Sequence, residues 1–195
     1  MKPFLSQTTM PYATALNRKL TNPYLWHQWI WQSFPGKPEA ERDFLFRTDI
    51  LQDTVRILLL SEHIPQDSGG CAWQSKSIAE GFLAHAAYRF QVRANPTFRR
   101  NQDRRRIPIY QQDKLQAWFQ RKFEEIGCNL CSIEIGQAQN EEFKKDEKWI
   151  KLSSVDATGV LKVTERELFI KGFSQGIGPA KGFGFGLLML QPIQL

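Results

Sequence analysis

The stretch Lys171-Gly172-Phe173-Ser174-Gln175-Gly176-Ile177-Gly178-Pro179-Ala180-Lys181-Gly182-Phe183-Gly184-Phe185-Gly186-Leu187-Leu188-Met189-Leu190 sets six glycines around Lys181. Glycine at this density loses much backbone entropy on folding, so the conformation must need positive φ or close approach of another group. At strand period, Phe183, Phe185, Leu187 and Met189 point one way. Gly182, Gly184 and Gly186 then leave the other face bare. A bare face with exposed N–H groups beside Lys181 suits an anion, most simply a phosphate. A flexible loop running into an ordinary core strand fits the same residues. The spacing is not G-x-x-x-x-G-K-[ST] and no strand leads into it, so P-loop nucleotide binding is not expected.

Upstream of the glycines, Thr164-Glu165-Arg166-Glu167 reads as a capping box opening a helix that stops near Gly176. Further back come a strand at Tyr88–Ala94 and a helix from Asp113 to Ile126. Leu115, Trp118, Phe119, Lys122-Phe123 and Ile126 mark its buried side, and it stops at Gly127. Strands at Asn129–Gln137 and Trp149–Val163 follow, with Asn140–Lys148 between them as a mixed-charge, solvated hairpin tip. The order is β-α-β-β-α-β, a ferredoxin-like or RRM-like unit. The first half repeats it in reduced form. A strand at Phe4–Met10 leads through a polar link carrying Arg18 and Lys19. A helix then opens at Asn22-Pro23 and ends at Pro35-Gly36. Strands at Arg42–Asp49, Thr54–Glu62 and Cys71–Glu80 complete it. Ile64–Gly70, broken by Pro65 and Gly69-Gly70, is too short for a normal helix. The expected fold is α+β: two tandem ferredoxin-like (RRM-like) units, residues 1–84 and 85–195, the first with a shrunken second helix.

On the Asn22 helix, Leu25, Trp26, Trp29, Ile30 and Phe34 share an apolar face. Tyr24, His27, Gln28 and Trp31 fall opposite, His27 near the edge. A core histidine would sit on the apolar face. Tyr24 and His27, three residues apart, can converge on one bound group. His63 and His85 read as structural or solvated. From Arg93 to Arg106 run six arginines and no lysine: Arg93, Arg99, Arg100, Arg104, Arg105 and Arg106. A solvated loop is the plainer reading of a charge run. The guanidinium fork, however, suits bidentate phosphate contact, which favours nucleic acid.

The net charge of +6 favours an anionic partner, nucleic acid or membrane surface. No apolar run is long enough to span a bilayer, and Met1–Met10 lacks the apolar stretch of a signal peptide. A cytoplasmic protein without membrane contact is expected. Cys71 stands alone and Cys128-x-x-Cys131 has no second pair, so these read as small core residues, and neither metal nor cofactor is expected.

Four motifs carry a resemblance: Asn22-Pro23-Tyr24-x-x-His27, Arg42-Asp43-Phe44-Leu45-Phe46, Phe90-x-x-Arg93-Ala94-Asn95-Pro96, and Gly176 to Leu188. With two ferredoxin-like units and a basic surface, the chain resembles the CRISPR repeat-processing endoribonucleases, on the CasE branch that serves Cascade-type complexes. Gly182 stands where a small side chain is more usual, and the reduced second helix of the first unit is a further departure. The resemblance implies that His27 is catalytic, with Tyr24 assisting, and that the glycine loop shapes an RNA-binding surface. Gly176, Gly178, Lys181, Gly182 and Gly184 would hold RNA together with the arginines. The implied partners are CRISPR repeat hairpin RNA, as pre-crRNA and crRNA, and other Cascade subunits. The chemistry is consistent without metal: the RNA's own 2′-OH attacks the adjacent phosphate while histidine moves a proton, leaving a 2′,3′-cyclic phosphate and a 5′-OH. A non-catalytic subunit that binds the RNA hairpin is the alternative. A structural protein whose basic face meets an acidic partner is a third.

Overall fold

The computed structural model describes residues 3–35, 43–67, 69–103, 105–145 and 147–194. Its contacts divide the chain into two compact units, Met1–Glu80 with Gly182–Gly184, and Gly81–Lys181 with Phe185–Leu195.

The first unit runs β1 (Phe4–Pro11), α1 (Tyr12–Asn17), α2 (Pro23–Trp31), β2 (Phe44–Leu51), β3 (Thr54–Ser61) and β4 (Gln74–Ser77). Its antiparallel sheet has the order β2-β3-β1-β4, the ferredoxin-like arrangement. Among the described residues no helix stands between β3 and β4. The register Met10↔Val55, Thr8↔Ile57 and Phe46↔Leu59 puts the apolar side chains of three strands on one face. Trp26, Trp29 and Ile30 of α2 close over Met10, Val55, Ile57, Leu59, Phe44 and Phe46, all under a tenth exposed. Burial of each such side chain contributes about 1.5–3 kcal/mol. The expected polar link is α1, a short helix begun where the Tyr12 N–H donates to the Asp53 carbonyl at 2.7 Å. It buries Ala15.

The second unit is a complete βαββαβ unit with additions. It runs β5 (Ala87–Ala94), β6 (Thr97–Arg99), β7 (Arg106–Pro108), α3 (Gln112–Glu124), β8 (Cys128–Ile135), β9 (Gln139–Lys145), β10 (Lys148–Val163), α4 (Arg166–Gln175) and β11 (Leu188–Ile193). The sheet order is β11-β5-β10-β8, while β6 and β7 form their own ribbon. Its helices bury Leu115, Trp118, Phe119 and Phe123 from α3 and Phe169 and Phe173 from α4.

Three expectations are corrected here. The mixed-charge segment after β8 is a hairpin, but more than its tip: Gln139–Lys145 is a strand paired with Lys148–Ser154. The 16 residues of β10 run past β8 and offer that second edge. Second, α4 has Glu165 at its N-cap with no side-chain cap, so no capping box forms. The Thr164 and Glu165 N–H groups both donate to the Gly127 carbonyl, which sets the helix start one residue late.

The third correction concerns the glycines. Leu188 begins β11, Lys181–Phe183 is a tight turn, and Gly184 and Gly186 have φ of 82° and 85°. Positive φ breaks the two-residue alternation, so Gly182–Leu187 is not a strand with a bare face. Gly184 through Leu188 are all buried. The Gly186 N–H donates to the Arg93 carbonyl at 2.8 Å, and its carbonyl accepts from Ile177 at 2.9 Å. The side of Gly186 thought open for a ligand is closed by Ile177, whose oxygen lies 2.5 Å from where a Cβ would stand. No helix among the described residues is long and apolar enough to cross a membrane.

Candidate active-site helix and cationic groove

α2 owes its start to Asn22, whose side-chain oxygen accepts from the Leu25 N–H at 3.0 Å, and to Pro23 in the first turn. That cap fixes where Tyr24 and His27 emerge. The His27 imidazole is half-buried and stacks on Phe44, ring centres 5.5 Å apart at 27°. Trp31 lies 5.7 Å away and Phe46 6.2 Å. The expectation of an open polar side is therefore corrected for His27 and Trp31. The sheet-facing stripe of α2 is wide enough to take both, because β2 supplies two phenylalanines beside it. Packed aromatic rings hold the imidazole in one orientation, a condition for directed proton transfer. The Tyr24 hydroxyl accepts from Gln28 Nε2 at 2.9 Å on the exposed side of the helix. Gly184 approaches the same cluster: a Cβ there would lie 3.2 Å from the Phe46 ring. Gly182–Gly184 thus groups with the histidine's unit. At the end of β3, His63 Nδ1 lies 3.1 Å from Asp43, while His85 is exposed.

The second unit carries a groove of about 610 Å³. Arg99 and Arg106, paired in register on β6 and β7, line one side. Arg121 and Lys122 of α3 line another, and Gly176, Gly178 and Lys181 a third. Among the described residues the one lining carboxylate is Glu125, bonded by Arg121 at 2.7 Å and by Lys122. Burial pushes Glu125 up, but its bonds to Lys122 and Arg121 outweigh that and hold it below the usual carboxylate range. It stays ionised near neutrality, and the groove remains cationic. Trp118 joins the walls: its indole N–H donates to the Thr97 carbonyl at 3.1 Å, and Gly178 (φ 75°) lies where a Cβ would come within 2.8 Å of its ring. Only glycine lets the loop approach so closely.

The structure thus gathers Arg99, Arg106, Lys181, Gly176 and Gly178 into one groove and adds Arg121 and Lys122, which the sequence reading missed. A signal for them existed. They stand three and four residues after Trp118, on the same side of α3. Other members of the arginine run lie elsewhere. Arg93 bonds Asp156 across the paired strands β5 and β10. Arg100 and Arg105 both reach Asp103 at the tip of the β6–β7 ribbon, and Arg104 lies outside the described residues. Asn95, from the same motif as Arg93, is buried and accepts from the Ser153 N–H, tying β5 to β10. Cys128 is buried, as expected of a small core residue, but Cys131 is exposed on the same strand, so that expectation is corrected for it.

Tandem ferredoxin-like units, one holding a histidine in an aromatic seat and the other a cationic groove, define a protein equipped to bind a polyanion. Comparison with known proteins narrows the class. The chain matches the CRISPR-associated protein family over residues 4–192 and belongs to it, on the CasE/Cse3 branch. It is 32% identical to the Escherichia coli CRISPR system Cascade subunit CasE over 187 residues, covering 87% of this chain and 92% of that one. To the Thermus thermophilus CRISPR-associated endoribonuclease Cse3 it is 28% identical, covering 93% and 96%. In three dimensions it is similar to Escherichia coli Cas6e (TM-score 0.76, 27% identity, 97% of this chain and 100% of that one). It also shares its fold with Thermus thermophilus Cse3 solved with an RNA representing a pre-cleavage complex (TM-score 0.85, 24% identity, 98% and 100%).

Proposed function

We propose that this chain is the endoribonuclease that cleaves CRISPR precursor RNA at the repeat hairpin and retains the processed crRNA within a Cascade-type complex. The observation that carries the reading is near-full-length likeness to two proteins, a Cascade subunit and a CRISPR-associated endoribonuclease. His27 is the proton-transfer group and Tyr24 supports it on the same helix. Arg99, Arg106, Arg121, Lys122 and Lys181 offset phosphate charge along the groove. Residues 1–84 form the catalytic domain and 85–195 the RNA-holding domain, in the cytoplasm where precursor RNA is made.

The reaction needs a 2′-OH stripped of its proton, in-line alignment with the adjacent phosphate, and a proton for the departing 5′-oxygen. Histidine serves either transfer near neutral pH. The nucleophile comes from the RNA, so the protein supplies position, proton transfer and charge, and no metal takes part. The products are a 2′,3′-cyclic phosphate and a 5′-OH. The test is incubation with the repeat RNA encoded beside the gene, in excess EDTA. Cleavage is expected there, and a 2′-deoxy nucleotide just upstream of the cut should bind and stay intact. Cleavage that fails in chelator and returns with magnesium would overturn the mechanism. An RNA bound but never cut would make the chain a non-catalytic subunit.

A further inference from the structure

We infer that the cationic groove opens into a pocket for a single nucleobase turned out of the RNA. The inference rests on the groove holding RNA phosphates, as proposed above. A second cavity, about 450 Å³, lies beside the groove and is lined by Phe98, Ile109, Lys114, Ala117, Trp118 and Arg121. Phe98, Trp118 and Arg121 line both cavities, so the two adjoin. Their chemistry differs. The groove gathers cations on three sides, whereas the pocket's walls are two aromatic rings with Ile109 and Ala117, and Lys114 and Arg121 are its charged members.

Trp118 and Ile109 are 3% and 7% exposed and form a fixed floor. Phe98 is 49% exposed, an apolar ring held out on the β6–β7 ribbon between groove and pocket. An apolar slot beside a phosphate track fits a flat ring tethered to an anion, which is a nucleotide. Aromatic side chains beside a cationic track are how proteins stack unpaired bases. A base inside an A-form stem has both faces covered by its neighbours and cannot enter. The occupant is therefore an unpaired nucleotide, in the loop or a single-stranded flank. Lys114 and Arg121 carry only donors, which suits a base edge rich in acceptors.

The test uses the repeat hairpin RNA with its flanks, and a set in which each unpaired position in turn is abasic. Parent protein should bind one of these about tenfold or more weaker than intact RNA, the loss expected when one stacked base is removed. Ala117→Trp fills the pocket from an exposed position on α3. It should bind intact RNA as weakly as parent binds the abasic RNA, with no further loss on combining the two. Phe98→Ala, which removes the outer wall, should show the same lack of additivity. Circular dichroism confirms that each variant is folded. If no abasic substitution weakens binding, or if the losses from variant and abasic RNA simply add, the pocket does not hold a base. The parent groove reading fails separately, if Arg99→Ala with Arg106→Ala leaves RNA affinity unchanged.

Discussion

Removing Arg99 and Arg106 together should flatten the salt dependence of RNA binding by an amount the groove itself sets. Among the described residues five cations line it: Arg99, Arg106, Arg121, Lys122 and Lys181. If each neutralises one phosphate, the slope of log affinity against log salt is about −4.5, at roughly −0.9 per duplex phosphate. Between 50 and 200 mM salt the parent should then lose affinity about 500-fold. With three cations left the slope becomes about −2.7 and the loss about 40-fold. Both arginines are exposed on a two-stranded ribbon, so alanine there removes charge without opening the core. Fluorescence anisotropy with labelled hairpin RNA across a salt series measures both slopes. Arg100→Ala with Arg105→Ala is the control, since those side chains share Asp103 at the ribbon tip and do not line the groove. The reasoning is refuted if the control flattens the slope as much as the groove pair, because the phosphate track would then run along the tip.

His27→Ala should slow single-turnover cleavage by about 10²–10⁴-fold while leaving RNA affinity within about twofold, as expected of a proton-transfer residue; cleavage at the parental rate would remove His27 from the mechanism. Gly186→Ala places a Cβ 2.5 Å from the Ile177 carbonyl oxygen at a φ of 85°. The left-handed backbone alone costs about 1–2 kcal/mol, so the thermal midpoint should fall by roughly 2–8 °C or more, and an unchanged midpoint would contradict the packing described. Burial holds the Cys128 thiol up at about 12, whereas Cys131 is exposed. Iodoacetamide at pH 8.5 should therefore label Cys131 in the native protein and Cys128 only after denaturation, as read by peptide mass. Glu141 is raised above the usual carboxylate range, chiefly by burial. Its folded form binds a proton more tightly than its unfolded form, so stability is lost as pH rises through the raised pKa. Glu141→Gln should raise the midpoint at pH 8, and that advantage should vanish below the ordinary carboxylate range; a variant less stable at pH 8 would refute the assignment.

Much of the fold was legible because its elements carry their own punctuation. Asn22-Pro23 opens α2, Gly127 ends the α3 turn, and Gly176 with φ of 74° ends α4. The reduced first unit was legible for the same reason, since Pro65 and Gly69-Gly70 leave no room for a helix after β3. What escaped has no local signal. α1 has six residues and no side-chain cap, and forms because its first N–H finds Asp53 on the β2–β3 turn. β9 has too much charge and too little alternation to read as a strand. It pairs because β10 overruns the sheet and leaves unsatisfied backbone groups beside it, which cross-strand bonds then satisfy.

The site divides along the same line. Tyr24 and His27 could be singled out because a helix cap and a short spacing place them within one turn of chain. The phosphate surface could not be placed from the glycines alone. Gly182-Phe183-Gly184-Phe185-Gly186 satisfies a strand period and a run of positive φ equally well, and the two readings put its bare side in different places. Contacts remote in sequence decide between them: Phe46 against Gly184, Ile177 against Gly186, and the Gly186 N–H on Arg93. With Gly184 and Gly186 packed against the protein itself, the bare strand face read from the sequence does not exist. The same closure leaves Gly176, Gly178 and Lys181 lining the groove, with Gly178 against Trp118. Trp118 is on the helix that presents Arg121 and Lys122, so one tryptophan brings the glycine loop, the arginine ribbon and two unforeseen cations to a common surface. A substitution at Trp118 should therefore weaken RNA binding by separating cations it does not itself supply.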